Sequence, residues 1–385
     1  MNPSRQHSFF LAALPAALTL AACQDPTGTP VASLTPGAVS RDASAATASA
    51  TTLGAPALPG RIADQMDPQA LLGAAGTPAA CQSSTPVSNW YVAAVLKVIQ
   101  AEPATYSLLR SFDAANVPTY EALVVETNAT PQYYGYNGEF TQVLTKTEKD
   151  VKRFWDIPSA AIEMVPMHGT VLTNVPKVAQ TYHTAYGIPD PVATQFATTV
   201  RGAVVSSTTL NGGNHPYFTF NSVSVEPIPA LGLPAKVIMG DGVLEGYAAV
   251  GLGDVAPQGV FAHEFGHQVQ FARNYFNDQY ATTGTAAQRT RYTELMADAL
   301  SAYYLTHSRG AALNRKRVEE FLQVFFQIGD CALTSPGHHG TPTERLAAAR
   351  FGFSVADEAQ KLGHILTADE FHARFVAAYP TLLDQ

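Results

Sequence analysis

Charge is scarce in this chain of 385 residues: Asp, Glu, Lys and Arg together make up 14% of it, and the formal net charge is −8. Binding a nucleic acid takes clustered Lys and Arg to neutralise phosphates. No such cluster occurs, which speaks against a nucleic-acid partner. Cysteine is sparse, at three residues. Phe, Tyr and Trp are missing altogether between Phe10 and Trp90, and the stretch from residue 24 to about 80 is rich in Ala, Thr, Pro, Ser and Gly. Such a stretch buries too little apolar surface to offset its ordering entropy, and it reads as a flexible tether. The patch at 62–72 is too short a pattern to decide whether it docks on the folded part. After the apolar run at 9–20, no stretch reaches the roughly 20 consecutive apolar residues of a spanning helix. No internal repeat is present. What remains, 46% hydrophobic and 10% aromatic, is a globular composition long enough for one large or two smaller domains.

The amino terminus carries Arg5, then the apolar run, then Leu20-Ala21-Ala22-Cys23, the pattern of a secretory signal with a small-residue cleavage site. Leu-Ala-Ala-Cys resembles the lipobox of bacterial lipoproteins, which implies that Cys23 becomes the acylated terminus. Gln24 after it implies outer-membrane sorting, or the periplasmic face, in a Gram-negative cell. The protein is therefore expected to be exported and anchored to the membrane of the cell envelope through Cys23. Cys81 and Cys331 remain, and an even pair in an oxidising compartment is expected to be bridged. The bridge would close a loop of about 250 residues and constrain the unfolded chain.

Helices are predicted over 90–100, where Val92, Val95, Leu96 and Ile99 recur at helical spacing, over 147–155 and over about 189–204. Strand-like patterns follow at 217–225 and 236–239, the second closed by Gly240-Asp241-Gly242. From Asp254 the pattern turns helical, with Asp254 as N-cap and Pro257 in the first turn. Val318, Phe321, Leu322 and Phe325 mark a buried stripe, and Thr341 with Glu344 and Thr367 with Glu370 read as capping boxes. The expected division is a signal peptide at 1–22, the lipidated Cys and tether at 23–84, and one domain at 85–385. Within that domain, 85–205 is helical and 206–385 carries the chemistry.

Residues 261–268 read Phe-Ala-His-Glu-Phe-Gly-His-Gln, containing His-Glu-x-x-His. On a helix, His263 and His267 project from one face, one turn apart, and can share a Zn²⁺. Glu264 lies about 100° round the helix, near an ion-bound water but poorly placed as a ligand, and is the expected general base. The pattern arises by chance roughly once in a hundred chains of this length, so context decides. That context is the upstream cap, the apolar positions Val260, Phe261, Phe265 and Val269, and the exported compartment. Gln270 and Arg273 stand where the metzincin pattern needs Gly and His, which excludes that subclass.

A catalytic zinc needs a third protein ligand. Downstream, Thr293-Glu294-Leu295-Met296-Ala297-Asp298 lies in a helical stretch, and Glu294 and Asp298 share a face. Here the chain resembles the gluzincins, in which a second helix supplies Glu-x-x-x-Asp. The resemblance implies that Glu294 is the third ligand and that Asp298 supports a ligating imidazole, a role any such ring needs filled. More narrowly, 262–270, 294–298 and His339-Gly340-Thr341-Pro342 with Arg345 are similar to the bacterial neutral zinc metallopeptidases over roughly residues 235–352. Ala299 departs from relatives that often have Cys there. The implied fold is α+β and mostly helical, a zincin-like metallopeptidase domain with a small antiparallel sheet packed near the His-Glu-x-x-His helix.

The expected activity is hydrolysis of peptide bonds in a peptide or protein substrate, with one Zn²⁺ per chain and a water activated by the ion and by Glu264. His339 is the first candidate for the extra donor to the oxyanion, with Tyr303 and His307 behind it. Arg345 is equally suited to a buried acid or to an exposed helix salt bridge. The resemblance implies that substrate adds as an extra strand, at 217–225 or at 237–244. Gly266 inside a helix marks a close approach of a substrate or of a packing helix. The Gly-x-Met-x-Asn signature of gluzincin aminopeptidases is absent, which favours an endopeptidase. The competing readings are a zinc-binding lipoprotein scaffold without hydrolysis and a zinc amidohydrolase acting on cell-wall links.

Overall fold

The computed structural model describes Leu53 and residues 62–63, 85–313 and 315–383, all within one compact unit beginning at Ala50. Residues 1–22, Cys23 and Cys81 lie outside the described residues, while Cys331 is buried. Among the described residues no helix is long and apolar enough to cross a membrane.

Helices dominate, around a small sheet. Strand β1 (Ile62–Ala63) is followed by α1 (Pro86–Ala101), α2 (Pro103–Ser111), α3 (Val117–Val124), α4 (Thr141–Phe154), β2 (Glu163–Met167), α5 (Val175–Tyr186) and α6 (Asp190–Ser206). Then come β3 (Ser222–Val225), β4 (Lys236–Gly240), α7 (Asp241–Ala249), α8 (Ala256–Arg273), α9 (Ala286–Thr306), α10 (Arg315–Gln327), α11 (Pro342–Leu362) and α12 (Ala368–Leu382). The strand order is β1-β3-β4-β2. The sheet is mixed rather than antiparallel as expected: β3 runs antiparallel to β1 and β4, but β2 and β4 are parallel. A parallel pair needs a long crossover, and α5 and α6 lie in it. The sheet thus joins the segments 85–205 and 206–385.

Local chemistry explains where the elements begin. Thr85 caps α1 in a capping box with Ser88, Thr285 does the same for α9 with Gln288, and Thr367 for α12 with Glu370. At α11, Thr341 and Glu344 exchange the same reciprocal bonds. The predicted cap of α8 is corrected by one residue: Val255 is the N-cap, and Asp254 points outward to Arg317. The strand expected over 217–225 begins only at Ser222, because Pro216 opens a helical turn at Pro216–Thr219 that His215 caps through its ring nitrogen. Helices expected over 90–100, 147–155 and 189–204 form at Pro86–Ala101, Thr141–Phe154 and Asp190–Ser206.

Strand β4 is buried throughout, Lys236 included. Its ammonium donates to the carbonyls of Ala122, Leu123 and Glu126, filling the orphan acceptors at the end of α3. Burial pulls the Lys236 pKa down, and nearby acids oppose that shift.

Helix α8 is buried on nearly every side from Ala256 to Gln270. Gln268 pins it to the sheet, its amide donating to Ser224 Oγ at 2.7 Å, Lys236 O at 3.0 Å and Val225 O at 3.1 Å. On the other face α9 approaches closely: a Cβ on Gly266 would lie 3.1 Å from Ala297 Cα. Helix packing therefore accounts for Gly266.

Candidate metal centre

Two helices bring the ligand-type residues together. His263 and His267 stand one turn apart on α8, their ring centroids 4.9 Å apart and nearly perpendicular. Glu294 reaches them from α9, with Oε2 3.3 Å from His263 Nε2 and Oε1 3.5 Å from His267 Nε2. Ligand atoms of the three residues all lie within 4.8 Å of one another, and each residue is at most 1% exposed. Donors about 2.0–2.1 Å from a tetrahedral ion are themselves about 3.3–3.4 Å apart. The observed spacings fit a common ion, and these residues could hold one.

The far side of each imidazole is fixed. Asp298 Oδ1 lies 2.8 Å from His263 Nδ1, and Gln270 Oε1 lies 2.8 Å from His267 Nδ1. Acceptors at both Nδ1 atoms place the protons there and turn the Nε2 lone pairs toward Glu294. Each acceptor is held in turn. Arg345 grips Asp298 with two bonds of 2.7 Å, both side chains buried, and Gln270 donates its amide to Thr293 O at 2.7 Å. Arg345 thus pairs with a buried acid, one of the two arrangements open to it.

Glu264 is fully buried and is not part of the ligand group. It lines a cavity of about 10 Å³ with His263, Ser222, Val243, Tyr247, Val260, Val324, Phe325 and Ile328. That space is about what one water requires.

His339 is placed elsewhere. It is absent from the ligand group and from the walls of the Glu264 cavity. Its backbone N–H donates to Asp330 Oδ2 at 2.8 Å, and its Nδ1 lies 3.2 Å from the same oxygen. His338 Nδ1 takes the other oxygen at 2.6 Å. Burial alone would raise Asp330, but hydrogen bonds from the two histidines outweigh it and hold the carboxyl well below its ordinary range. Tyr303 and His307 serve packing: the Tyr303 hydroxyl accepts from Leu366 N–H, and both His307 ring nitrogens meet backbone groups. The tyrosines of the 268–293 connection, Tyr275, Tyr280 and Tyr292, pack against His372, Phe375 and Tyr379 of α12.

No family model, curated protein or solved structure matches the chain. The candidate metal site therefore rests on its own geometry. Sequence reading missed Gln270 as a partner of His267, although a Gln three residues after a helical His was a usable signal. It also missed Ser222 beside Glu264 and Asp330 beneath the two histidines, which nothing local in the sequence marks.

Proposed function

We propose that this chain is a zinc-dependent peptidase, in preference an endopeptidase, exported and anchored in the cell envelope through a lipid on Cys23. One observation carries the reading: an acid outside the ligand group, Glu264, lies beside His263 at a cavity the size of one water. A structural zinc site fills its fourth position with protein, whereas a hydrolytic one keeps three protein ligands and leaves that position to water. His263, His267 and Glu294 offer three. The pairing of α8 with α9 beneath a mixed sheet supports a zincin-like fold.

Bound there, one Zn²⁺ would polarise the scissile carbonyl and acidify a water. Glu264 would take a proton from a water as the water oxygen bonds to the carbonyl carbon, deliver it to the amine nitrogen as the C–N bond breaks, and let the remaining acid proton pass to the amine. The products are a carboxylate and an ammonium. Asp298 and Gln270 hold the two imidazoles in the tautomer this needs, and Arg345 holds Asp298. No step is assigned to His339. A Cys81–Cys331 bridge belongs to the same proposal, and non-reducing mass mapping tests it.

The decisive experiment is metal analysis of the mature protein with a casein assay, with and without chelator. One zinc per chain, and turnover that chelator abolishes and zinc restores, are expected. Glu264→Gln should keep the zinc and lose about 10²–10⁴-fold in turnover. Full activity in that variant, or no stoichiometric metal in the wild type, ends the proposal. A Cys23→Ser protein should be released in soluble form, and its retention on membranes would refute the anchor.

A further inference from the structure

Strand β3 commits one side to β4. Its other side carries β1, with Ile62 opposite Val225 and Ala63 opposite Ser224, running antiparallel. Among the described residues, Ser222 and Val223 have no strand opposite them on that side. Ser222 is also the β3 residue that lines the Glu264 cavity, and among the described residues its buried hydroxyl has no hydrogen-bond partner. A strand advances about 3.4 Å per residue, so Ala63, opposite Ser224, lies about 7 Å along the edge from the position facing the site. The same stretch of chain is held at a second point. Leu53 packs partly buried against the core, and its N–H donates to Ser111 O at 3.1 Å.

An extended peptide adding to a sheet edge gains main-chain hydrogen bonds with little regard to sequence. Strand β4 is interior, flanked by β3 and β2, and cannot take one, which removes 237–244 as the docking strand. The outer side of β3 is the edge that leads to Glu264. A peptide antiparallel to β3 would pass Val225 first and Ser222 last. Its residues opposite Val225 and Ser224 therefore precede the bond offered to Glu264. Those two places are where Ile62 and Ala63 lie.

We infer that the outer edge of β3 is the docking edge for an extended peptide and that Ile62–Ala63 is a built-in competitor for it. The inference rests on the peptidase reading. Two paired residues make a weak strand, but attachment to the same chain keeps the competitor at an effective concentration of order millimolar. A substrate must displace it, so the contact raises KM and leaves the chemical step alone.

The test compares full-length zinc-loaded protein with the Ile62→Pro/Ala63→Pro variant, because proline donates no ladder N–H. Metal content and melting temperature check that the fold survives. Hydrogen exchange at the Ser224 and Val225 amides reports the pairing itself. Binding of a fluorescent, unstructured ten-residue peptide to both proteins carrying Glu264→Gln reports access to the edge without turnover. The proline variant should bind that peptide roughly tenfold more tightly, and in the active background KM should fall by the same factor at constant kcat. A synthetic peptide of residues 58–66, added to the proline variant, should compete with the probe. If the proline variant is unstable, competition by that peptide against the probe on the Glu264→Gln protein decides. Unchanged probe affinity after the pairing is lost, or no competition by the synthetic peptide, overturns the inference. Tighter peptide binding with no cleavage by either active-background protein would overturn the peptidase reading and leave the edge assignment standing.

Discussion

At the scale of single residues, the two imidazoles of the centre have partners of different kind. Asp298 serves His263 as a carboxylate clamped by Arg345, while Gln270 serves His267 as a neutral amide tied to backbone. Removing such a partner costs about 10–100-fold in metal affinity. Gln270→Ala should show that loss in a chelator-competition titration, with a modest drop in the melting temperature of the apo protein. Arg345→Met strands the Asp298 carboxylate in the interior, and an unpaired buried charge costs about 3–5 kcal/mol. Denaturant unfolding of the apo forms should separate the two variants. Asp330 supplies a pH test. An unfolded Asp titrates near about 3.9, and the folded carboxyl sits well below that. Its contribution is fully present above about pH 5 and drains away as the pH falls further. Urea midpoints measured from pH 6 to pH 3 should fall more gently for Asp330→Asn than for the wild type. His263, Glu264 and His267 were legible because their spacing on one helix is the site. Gln270 was half legible. Arg345 and Ser222 act across 47 residues and across a sheet-to-helix contact, and no local pattern encodes such a meeting.

At the scale of elements, the contact of α8 with α9 sets the distance between the imidazoles and Glu294. Gly266→Ala adds a Cβ that would lie 3.1 Å from Ala297 Cα and 3.2 Å from its carbonyl oxygen. The gain in helix propensity is about 1 kcal/mol, and overpacking typically costs about 1–3 kcal/mol. Crowding against backbone should win, lowering both the melting temperature and the zinc affinity; unchanged affinity would show that the helices can part without moving Glu294. The starts of α11 and α12 were readable from Thr and Glu at fixed spacing. The mixed sheet was not. Residues 163–167, Glu-Met-Val-Pro-Met, lack the alternation of a half-exposed strand because four of the five are buried, and nothing in them announces β4 as a parallel partner. The helical turn before β3 was hidden for a different reason: aromatic residues at 217–220 fit a strand pattern, and Pro216 overrode it.

At the scale of the whole molecule, an ion held by His263, His267 and Glu294 would couple to the fold, since a ligand that binds only the native state stabilises it by about 2.7 kcal/mol at a hundredfold excess over its Kd. Chelator should therefore lower the melting temperature by several degrees, and zinc should restore it where magnesium does not; identical curves would argue against a native-state site. The same centre also has an electrical consequence. Around α8 and α9 the buried acids Glu264, Glu294 and Asp298 face one buried guanidinium, Arg345. With all four ionised, that interior is short by two positive charges, the charge of one divalent cation. A divalent cation held by His263, His267 and Glu294 would bring that interior to neutrality, whereas a single monovalent ion would leave it one charge short.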